Sequence, residues 1–376
     1  MKNFIALFAF LLGLALLVAH TAYGPDSVTL VFAGDTAFGE NYRIRPEPEF
    51  LSGDSRYLPS MKALIPLLSG AGQILLNLET PLTLPNGSGP DGKAYIHWSS
   101  PEKSISALKA SGVTAVGLAN NHTMDQGARG LMKTLLNLEN AGLAWRGAGP
   151  SLEVAETPLL WSFRIGKRTV TVATFFGFQY RKSYDEKYDF YAGTETAGVN
   201  PLDPERLKTL ISELRAKTRE VYVIIFPHWG NNYKWRTKKQ SGLARELIEA
   251  GADLVIGHGA HHLQQIEFYQ GKCILYGLGN FIFHSPGRFD RELAPSYSLV
   301  ARLEMADKKG LLKKTLRLYP IQSDNSVTGF RSRPVTQDEF TVVENLLRNH
   351  IESEDNLSRI ISGRDPLGHY LEIKLP

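Results

Sequence analysis

The sequence predicts an α/β fold. Short apolar runs of β-forming residues alternate with helical stripes along most of the chain. Five of those runs end in a carboxylate, Asn or His cluster. A single cysteine, Cys273, cannot form an intrachain disulfide, so packing must hold the fold.

The first strand is predicted over Val28–Ala33, ending at Gly34-Asp35. Ile74–Leu78 and Val113–Leu118 read as the second and third. Thr169–Phe175, Val221–Phe226, Leu254–Ile256 and Ile274–Tyr276 continue the series. Continuous apolar runs of this kind suit strands covered on both faces. Helical stripes fill the intervals. Ile105 and Leu108 share a face, as do Leu131, Leu135, Leu136 and Leu138 before the stop signal Ala141-Gly142. Leu207, Leu210, Ile211 and Leu214 follow Pro204, a favoured helix start. Leu243, Leu247 and Ile248 form the next stripe, which Gly251 ends. These stripes read as core packing. The loops 46–59, 85–93 and 178–204, rich in Gly, Pro, Tyr and charge, are expected to cover the open face. After about Gln322 the strand pattern fades, and the expectation for residues 326–376 is a peripheral helix, roughly Thr336 to Arg348, and a polar tail.

The composition bounds the function classes. With 376 residues, 43% of them hydrophobic, the chain can bury a sizeable core. A formal charge of +4 mildly favours an anionic partner, and no zinc-finger spacing, basic recognition helix or aromatic RNA-binding motif points to nucleic acid. Cys273 lies in the apolar run Cys273-Ile274-Leu275-Tyr276 and reads as a core thiol. At the N-terminus, Lys2 precedes an uninterrupted apolar run from Phe4 to Ala19, which fits a signal-peptide core and is slightly short for a spanning helix. Residues 1–24 are therefore expected to export the chain, as a cleaved signal peptide or as a membrane anchor, to the periplasm or cell surface.

The polar clusters fall at one structural position. Asp35, Glu79, Asn121-His122, His228 and the triplet His258, His261, His262 each follow a predicted strand. In α/β sheets, ligands collect at the carboxyl ends of strands, so the five clusters should converge. Carboxylate, carboxamide and imidazole donors suit manganese, iron or zinc. A pair of such ions about 3.5–4 Å apart activates water and neutralises charge on a transferring phosphoryl group. Each cluster also has an ordinary role open to it: a turn at Gly34-Asp35, a helix cap at Asn121-His122, a core histidine at His228. Within the triplet both His258/His261 and His261/His262 are possible pairs, and the first is preferred because adjacent extended residues point to opposite faces.

Taken in order, Gly34-Asp35, Asn77-Leu78-Glu79, Asn120-Asn121-His122, His228-Trp229-Gly230, Gly257-His258-Gly259-Ala260-His261 and Leu278-Gly279-Asn280-Phe281 resemble the poly-γ-glutamate capsule biosynthesis (CapA-type) family. That family is a branch of the calcineurin-like metallophosphoesterases. The resemblance covers about Val28 to Phe283 and implies a two-sheet β-sandwich flanked by helices, spanning residues 25–325. It implies metal ligation by Asp35, Glu79 at the bridging position, Asn121, His228, His258 and His261, with one or two divalent ions. It implies that His122 contacts the phosphate or protonates the leaving group. Two departures from the superfamily pattern stand out: Ala37 occupies the position of a usual histidine, and Glu replaces Asp at the bridge.

Three readings follow. One is a metal-dependent phosphoesterase in capsule or poly-γ-glutamate biosynthesis. The second is a non-catalytic subunit that holds an anionic polymer beside membrane-bound synthase subunits. The third is a metal-dependent γ-glutamyl amide hydrolase. Lys234 and Arg236, interleaved with Tyr233 and Trp235, are candidates to receive an anionic substrate, against the ordinary reading of a solvated loop. Asn280, His97, Asp125 and His284 are candidate supporting groups, because they lie near the motifs.

Overall fold

The computed structural model describes residues 26–39, 56–85, 89–285, 288–351 and 354–376. The apolar run from Phe4 to Ala19, most of the loop 46–59 and the middle of the loop 85–93 lie outside them.

The strands, in chain order, are β1 (Ser27–Ala37), β2 (Gln73–Leu78), β3 (Ala115–Gly117), β4 (Ala144–Arg146), β5 (Ala148–Gly149), β6 (Leu159–Ile165), β7 (Arg168–Phe178), β8 (Gly198–Val199) and β9 (Val221–His228). They continue with β10 (Leu254–Ile256), β11 (Ile266–Tyr269), β12 (Lys272–Leu275), β13 (Asn280–Phe283), β14 (Tyr297–Lys308), β15 (Leu311–Gln322), β16 (Arg333–Pro334), β17 (Ile360–Asp365) and β18 (Gly368–Leu375). The longer helices are α1 (Pro101–Ala110), α2 (Gly127–Asn140), α3 (Pro204–Lys217), α4 (Lys238–Glu249) and α5 (Gln337–Arg348).

Two sheets stack face to face. The first runs β17-β18-β15-β14-β1-β2-β3-β4, with β13 beside the end of β1, and the second runs β11-β12-β10-β9-β7-β6. Alternation along β1 shows how the layers are built. Leu30 and Phe32 point between the sheets, where they join Val172, Ile224 and Phe226. Val31 and Ala33 point outward, under Leu108 of α1 and Leu131 and Leu135 of α2. On the far face, Phe175, Val223 and Ile225 pack beneath Leu207 and Ile211 of α3 and Leu247 and Ile248 of α4. Both faces of the central strands are covered, which is why their sequences are apolar without interruption. The seven predicted strands and the predicted helices are all present, within a few residues at their ends.

Three features differ from the expectation. Leu136 is exposed, because it follows Leu135 by one residue and is turned about a quarter of a helical circle off the stripe. The hairpin β14–β15 adds two long antiparallel strands that join the central sheet through β1. The segment after Gln322 is integral rather than peripheral. β18 pairs with β15 and β17 with β18, while Leu371, Ile373 and the α5 residues Val343 and Leu347 enter the core between the sheets. The physical signal is the alternation Leu371-Glu372-Ile373-Lys374-Leu375, a half-buried strand pattern short enough to pass for a polar tail.

Register at the end of β1 places the functional residues. β14 pairs with residues 27–32 of β1, and β13 takes over beside residues 35–37, setting Asn280 opposite Asp35. β2 and β3 run parallel to β1 on its other side, and β9 and β10 run parallel in the second sheet. Five parallel strands, three from one sheet and two from the other, therefore deliver their carboxyl ends to the same end of the sandwich.

Candidate metal centre

Asp35 sits at the centre and is fully buried. The chain can bring it there because residue 34 is glycine: a Cβ at Gly34 would lie 1.8 Å from the Gly279 carbonyl. One carboxylate oxygen, Oδ1, accepts from Asn77 Nδ2 at 2.9 Å and lies 3.3 Å from His258 Nδ1 and 3.9 Å from His228 Nδ1. The other, Oδ2, accepts from the Gly259 amide at 3.1 Å and lies 3.4 Å from His261 Nδ1. Gly259 has φ +105°, and a Cβ there would meet the His228 ring at 2.9 Å, so both its conformation and its contact require glycine.

Glu79 follows β2 and is also fully buried. Its Oε1 has no hydrogen-bond partner, yet it lies 3.9 Å from both His122 Nε2 and His228 Nε2. Asn77 Nδ2 reaches Oε2 at 3.4 Å, so one amide spans both carboxylates. His228 and His258 are joined by a parallel β-bridge, and their Nδ1 atoms are 3.1 Å apart. His261 adopts φ +65° and bonds Asn280 Oδ1 through Nδ1 at 2.9 Å. His262 turns away against Trp235, and burial lowers its imidazole to about 4. The structure thus brings His258 and His261 together on Asp35.

His122 belongs to a second, contiguous network. Its Nδ1 meets Asp125 Oδ2 at 2.6 Å, and its ring stacks on His97 with centroids 3.5 Å apart. Lys93 Nζ donates to Asp125 Oδ1 at 2.6 Å, and the His97 amide donates to Asp125 Oδ2 at 2.6 Å. His97 Nδ1 in turn contacts the Glu79 carbonyl at 3.1 Å. Asn120, rather than Asn121, ties this loop to the strands: its Nδ2 donates to Asn77 Oδ1 and to the Leu78 carbonyl, and its Oδ1 accepts from the His122 amide. Asn121 Oδ1 is buried without a hydrogen-bond partner, and its side chain is bonded to the Tyr184 hydroxyl. Tyr184 sits on a short helix, Lys182–Tyr188, within the segment 178–204 that reads as loop in the sequence, and packs on Phe178 and Phe190.

Electrostatics favour a cation at the carboxylate–imidazole cluster. Burial, together with the charge of Asp35, pushes Glu79 well above the ordinary carboxyl range. Burial also pushes Asp35 upward, but His258 and His261 overcome it and hold the group well below its ordinary value. Burial drives His228 well below the ordinary imidazole value, with His258 adding to the effect. An imidazole kept neutral retains the lone pair that a metal needs. Two donor sets fall within ligating reach, Asp35 with His228 and His258, and Asp35 with Glu79 and His261, the ligand atoms of each set lying within 4.8 Å of one another. These oxygen and nitrogen donors, and the unpartnered oxygens of Glu79 and Asn121, fit a divalent transition ion. His97, His122 and Asp125 form a third set, but the Lys93 ammonium already sits on Asp125 and would repel a cation there.

The other sequence candidates lie elsewhere. Lys234 is half-exposed and paired with Glu292 at 3.1 Å. Arg236 bonds Ser241, approaches Glu267 and stacks over the Tyr276 ring. His284 bonds the Phe38 carbonyl, and burial lowers its imidazole to about 4. Asn77 and Lys93 were not singled out by sequence reasoning. Asn77 was legible, since it stands two residues before Glu79 and so shares its side of the strand end. Lys93 carried no signal, because it lies in a loop that only the fold folds inward.

A two-sheet sandwich with helices on both outer faces and a buried carboxylate–imidazole cluster at one end is the architecture that the family resemblance implies. The chain belongs to the bacterial capsule synthesis protein family PGA_cap, which matches residues 29–285. It is 33% identical over 282 residues to the PGA biosynthesis protein CapA of Bacillus subtilis, covering 74% of this chain and 70% of that one. It is 31% identical to the capsule biosynthesis protein CapA of Bacillus anthracis, over 58% of this chain and 52% of that one. A probable polyglutamine synthesis accessory protein of Mycobacterium tuberculosis is 26% identical over 90% of this chain and 97% of its own. Among solved structures, a phosphatase from Mycoplasma pneumoniae covers 84% of this chain and 96% of its own at 12% identity, with a TM-score of 0.39.

Proposed function

We propose that this chain serves capsule or poly-γ-glutamate biosynthesis outside the cytoplasm and carries a metal-dependent phosphoesterase-type site. The observation that carries the site is the unpartnered, fully buried Glu79 Oε1, set 3.9 Å from two imidazole nitrogens. A buried carboxylate oxygen left without a donor is costly unless a ligand completes it. Asp35, Glu79, Asn121, His228, His258 and His261 are the residues that would hold the ion. A divalent ion bound there supplies Lewis acidity and an activated water.

The protein's own groups supply the rest. Asp125 fixes His122 through Nδ1, which leaves Nε2 facing the Glu79 side of the cluster. Burial, with Lys93 beside it, holds the free imidazole well below its ordinary value, so His122 would first take up a proton at Nε2, for example from the water consumed in hydrolysis, and then hand it to a leaving oxygen. Lys93 keeps Asp125 in place and adds positive potential beside His122. Asn280 orients His261, and Asn77 holds the two carboxylates in register.

The purified chain should contain stoichiometric divalent metal by elemental mass spectrometry, and the metal-loaded protein should hydrolyse bis(p-nitrophenyl) phosphate. Absence of metal after incubation with manganese, iron or zinc would end the metal reading. Metal without turnover would favour the second reading, a polymer-holding accessory subunit, in line with the Mycobacterium tuberculosis relative, a probable polyglutamine synthesis accessory protein.

Export rests on the sequence Phe4 to Ala19. Among the described residues no helix is long and apolar enough to cross a membrane. Residues 1–27 fused to a phosphatase reporter that is active only outside the cytoplasm should produce activity, and an inactive reporter would remove the export proposal.

A further inference from the structure

At the opposite end of the sandwich, where β9 begins rather than ends, the two sheets part around a cleft of about 450 Å³. That volume lies within the roughly 300–1,000 Å³ typical of small-ligand sites. Its walls come from the starts of β7, β9 and β15, and from the end of α3 and the turn that follows it. Some of its charges are mutually satisfied: Asp253 takes Lys272 at 2.7 Å and Arg215 at 2.8 Å, and Glu220 takes Arg168 at 3.1 Å. Three cations, Arg219, Lys313 and Lys314, line the same cleft with no carboxylate partner among the described residues. Lys314 lies instead over the ring of Tyr222, its ammonium 5.5 Å from the centroid.

Two further atoms are incomplete. The Tyr222 hydroxyl and Glu220 Oε2 are both buried and both lack a hydrogen-bond partner. One is a donor in search of an acceptor and the other is an acceptor in search of a donor. Three unmatched positive charges call for an anion. The unmatched Glu220 oxygen calls for an N–H or O–H on the same ligand. Sulfate brings acceptors only and phosphate at most an O–H on one compact ion, whereas an amide-linked acidic chain brings several carboxylates and N–H groups spaced along its length, as the cations on separate elements of this cleft require.

We propose that this cleft is a binding site for a short acidic peptide chain, with carboxylates on Arg219, Lys313 and Lys314 and the Tyr222 hydroxyl, and a backbone N–H on Glu220. Lys314 has a long, half-buried stem, so its ammonium can swing from over the Tyr222 ring to an incoming carboxylate. The site is separate from the metal centre and does not depend on the chemistry proposed there.

The test is calorimetric titration of the full chain with tri-glutamate and, in parallel, with inorganic triphosphate, at low and at physiological salt. Tri-glutamate should bind, more weakly as salt rises. Tyr222→Phe removes only the hydroxyl and should weaken binding by about tenfold, the loss expected for a hydrogen bond to a charged group. Lys313→Gln combined with Lys314→Gln should abolish it. His228→Ala, at the other end of the molecule, should leave it unchanged, and thermal melts of each variant report whether the fold is kept. Failure of tri-glutamate to bind, equal binding by parent and folded cleft variants, or tighter binding of triphosphate than of tri-glutamate would each overturn the proposal.

Discussion

His228 and His258 hold their Nδ1 atoms 3.1 Å apart across the carboxyl ends of two parallel strands, both within 4 Å of one oxygen of Asp35. Two imidazoles and a carboxylate crowded in this way share a single focus. Replacing either imidazole by a methyl group removes a ligand that no neighbouring side chain can supply at that range. His228→Ala and His258→Ala should therefore each lower bound divalent metal to below half of the parent's content by elemental mass spectrometry, with Asp35→Asn doing likewise. Unchanged content in all three would dismiss these residues as ligands.

Asn77 makes a different kind of contribution. Its amide donates to Asp35 and reaches Glu79, and its oxygen accepts from Asn120. It orients the candidate ligands without competing for the ion's charge. Asn77→Ala should weaken metal affinity by roughly 10- to 100-fold, the range seen when groups that orient ligands are removed. Competition with a calibrated chelator gives the measurement, and an affinity equal to the parent's would show that the carboxylates hold themselves.

His122→Asn tests the proton-transfer role. Asparagine keeps much of the loop's hydrogen bonding but has no acidic proton to give. Metal content should stay near normal while turnover falls by about 10²- to 10⁴-fold, most with poor leaving groups. Equal rates on an alkyl phosphoester would make His122 structural. Asp125→Asn should produce a smaller fall of the same kind, since Asp125 holds the ring rather than touching the substrate.

Cys273 is fully buried in β12, and burial pushes its thiol up to about 12. A thiol raised above its ordinary value stays protonated at neutral pH, and the thiolate is the reactive form. The native protein should resist Ellman's reagent at pH 8 and release about one equivalent of colour only on denaturation. Prompt reaction of the folded protein would contradict both the burial and the raised value.

The C-terminal hairpin should be structural. Ile373 is fully buried between the sheets. Ile373→Ala should cost about 2–5 kcal/mol of unfolding free energy in a denaturant titration, as for other large-to-small core changes. A loss under 0.5 kcal/mol would mean that the β17–β18 hairpin adds nothing to the core, a limit set well below that range.

The sequence by itself determined the α/β class, because strands covered on both faces must be apolar throughout and helices covered on one face must be striped, as β1, β9 and α4 show. It also determined which strand ends carry the polar clusters that converge, since Asp35, Glu79, His122, His228 and His258 all fall just where an apolar run stops. Register was beyond it. That Asn280 lies beside Asp35 and that Lys93 folds back onto Asp125 depend on which distant strands pair. The sequence favours His261 over His262, but His261 turns inward through a positive φ and not through extended alternation. The C-terminal hairpin was hidden for the same reason: its alternation is local, but its place beside β15 is fixed by burial against residues far away in the chain. Local pattern records how much of each element is covered, and only the closed sandwich decides what covers it.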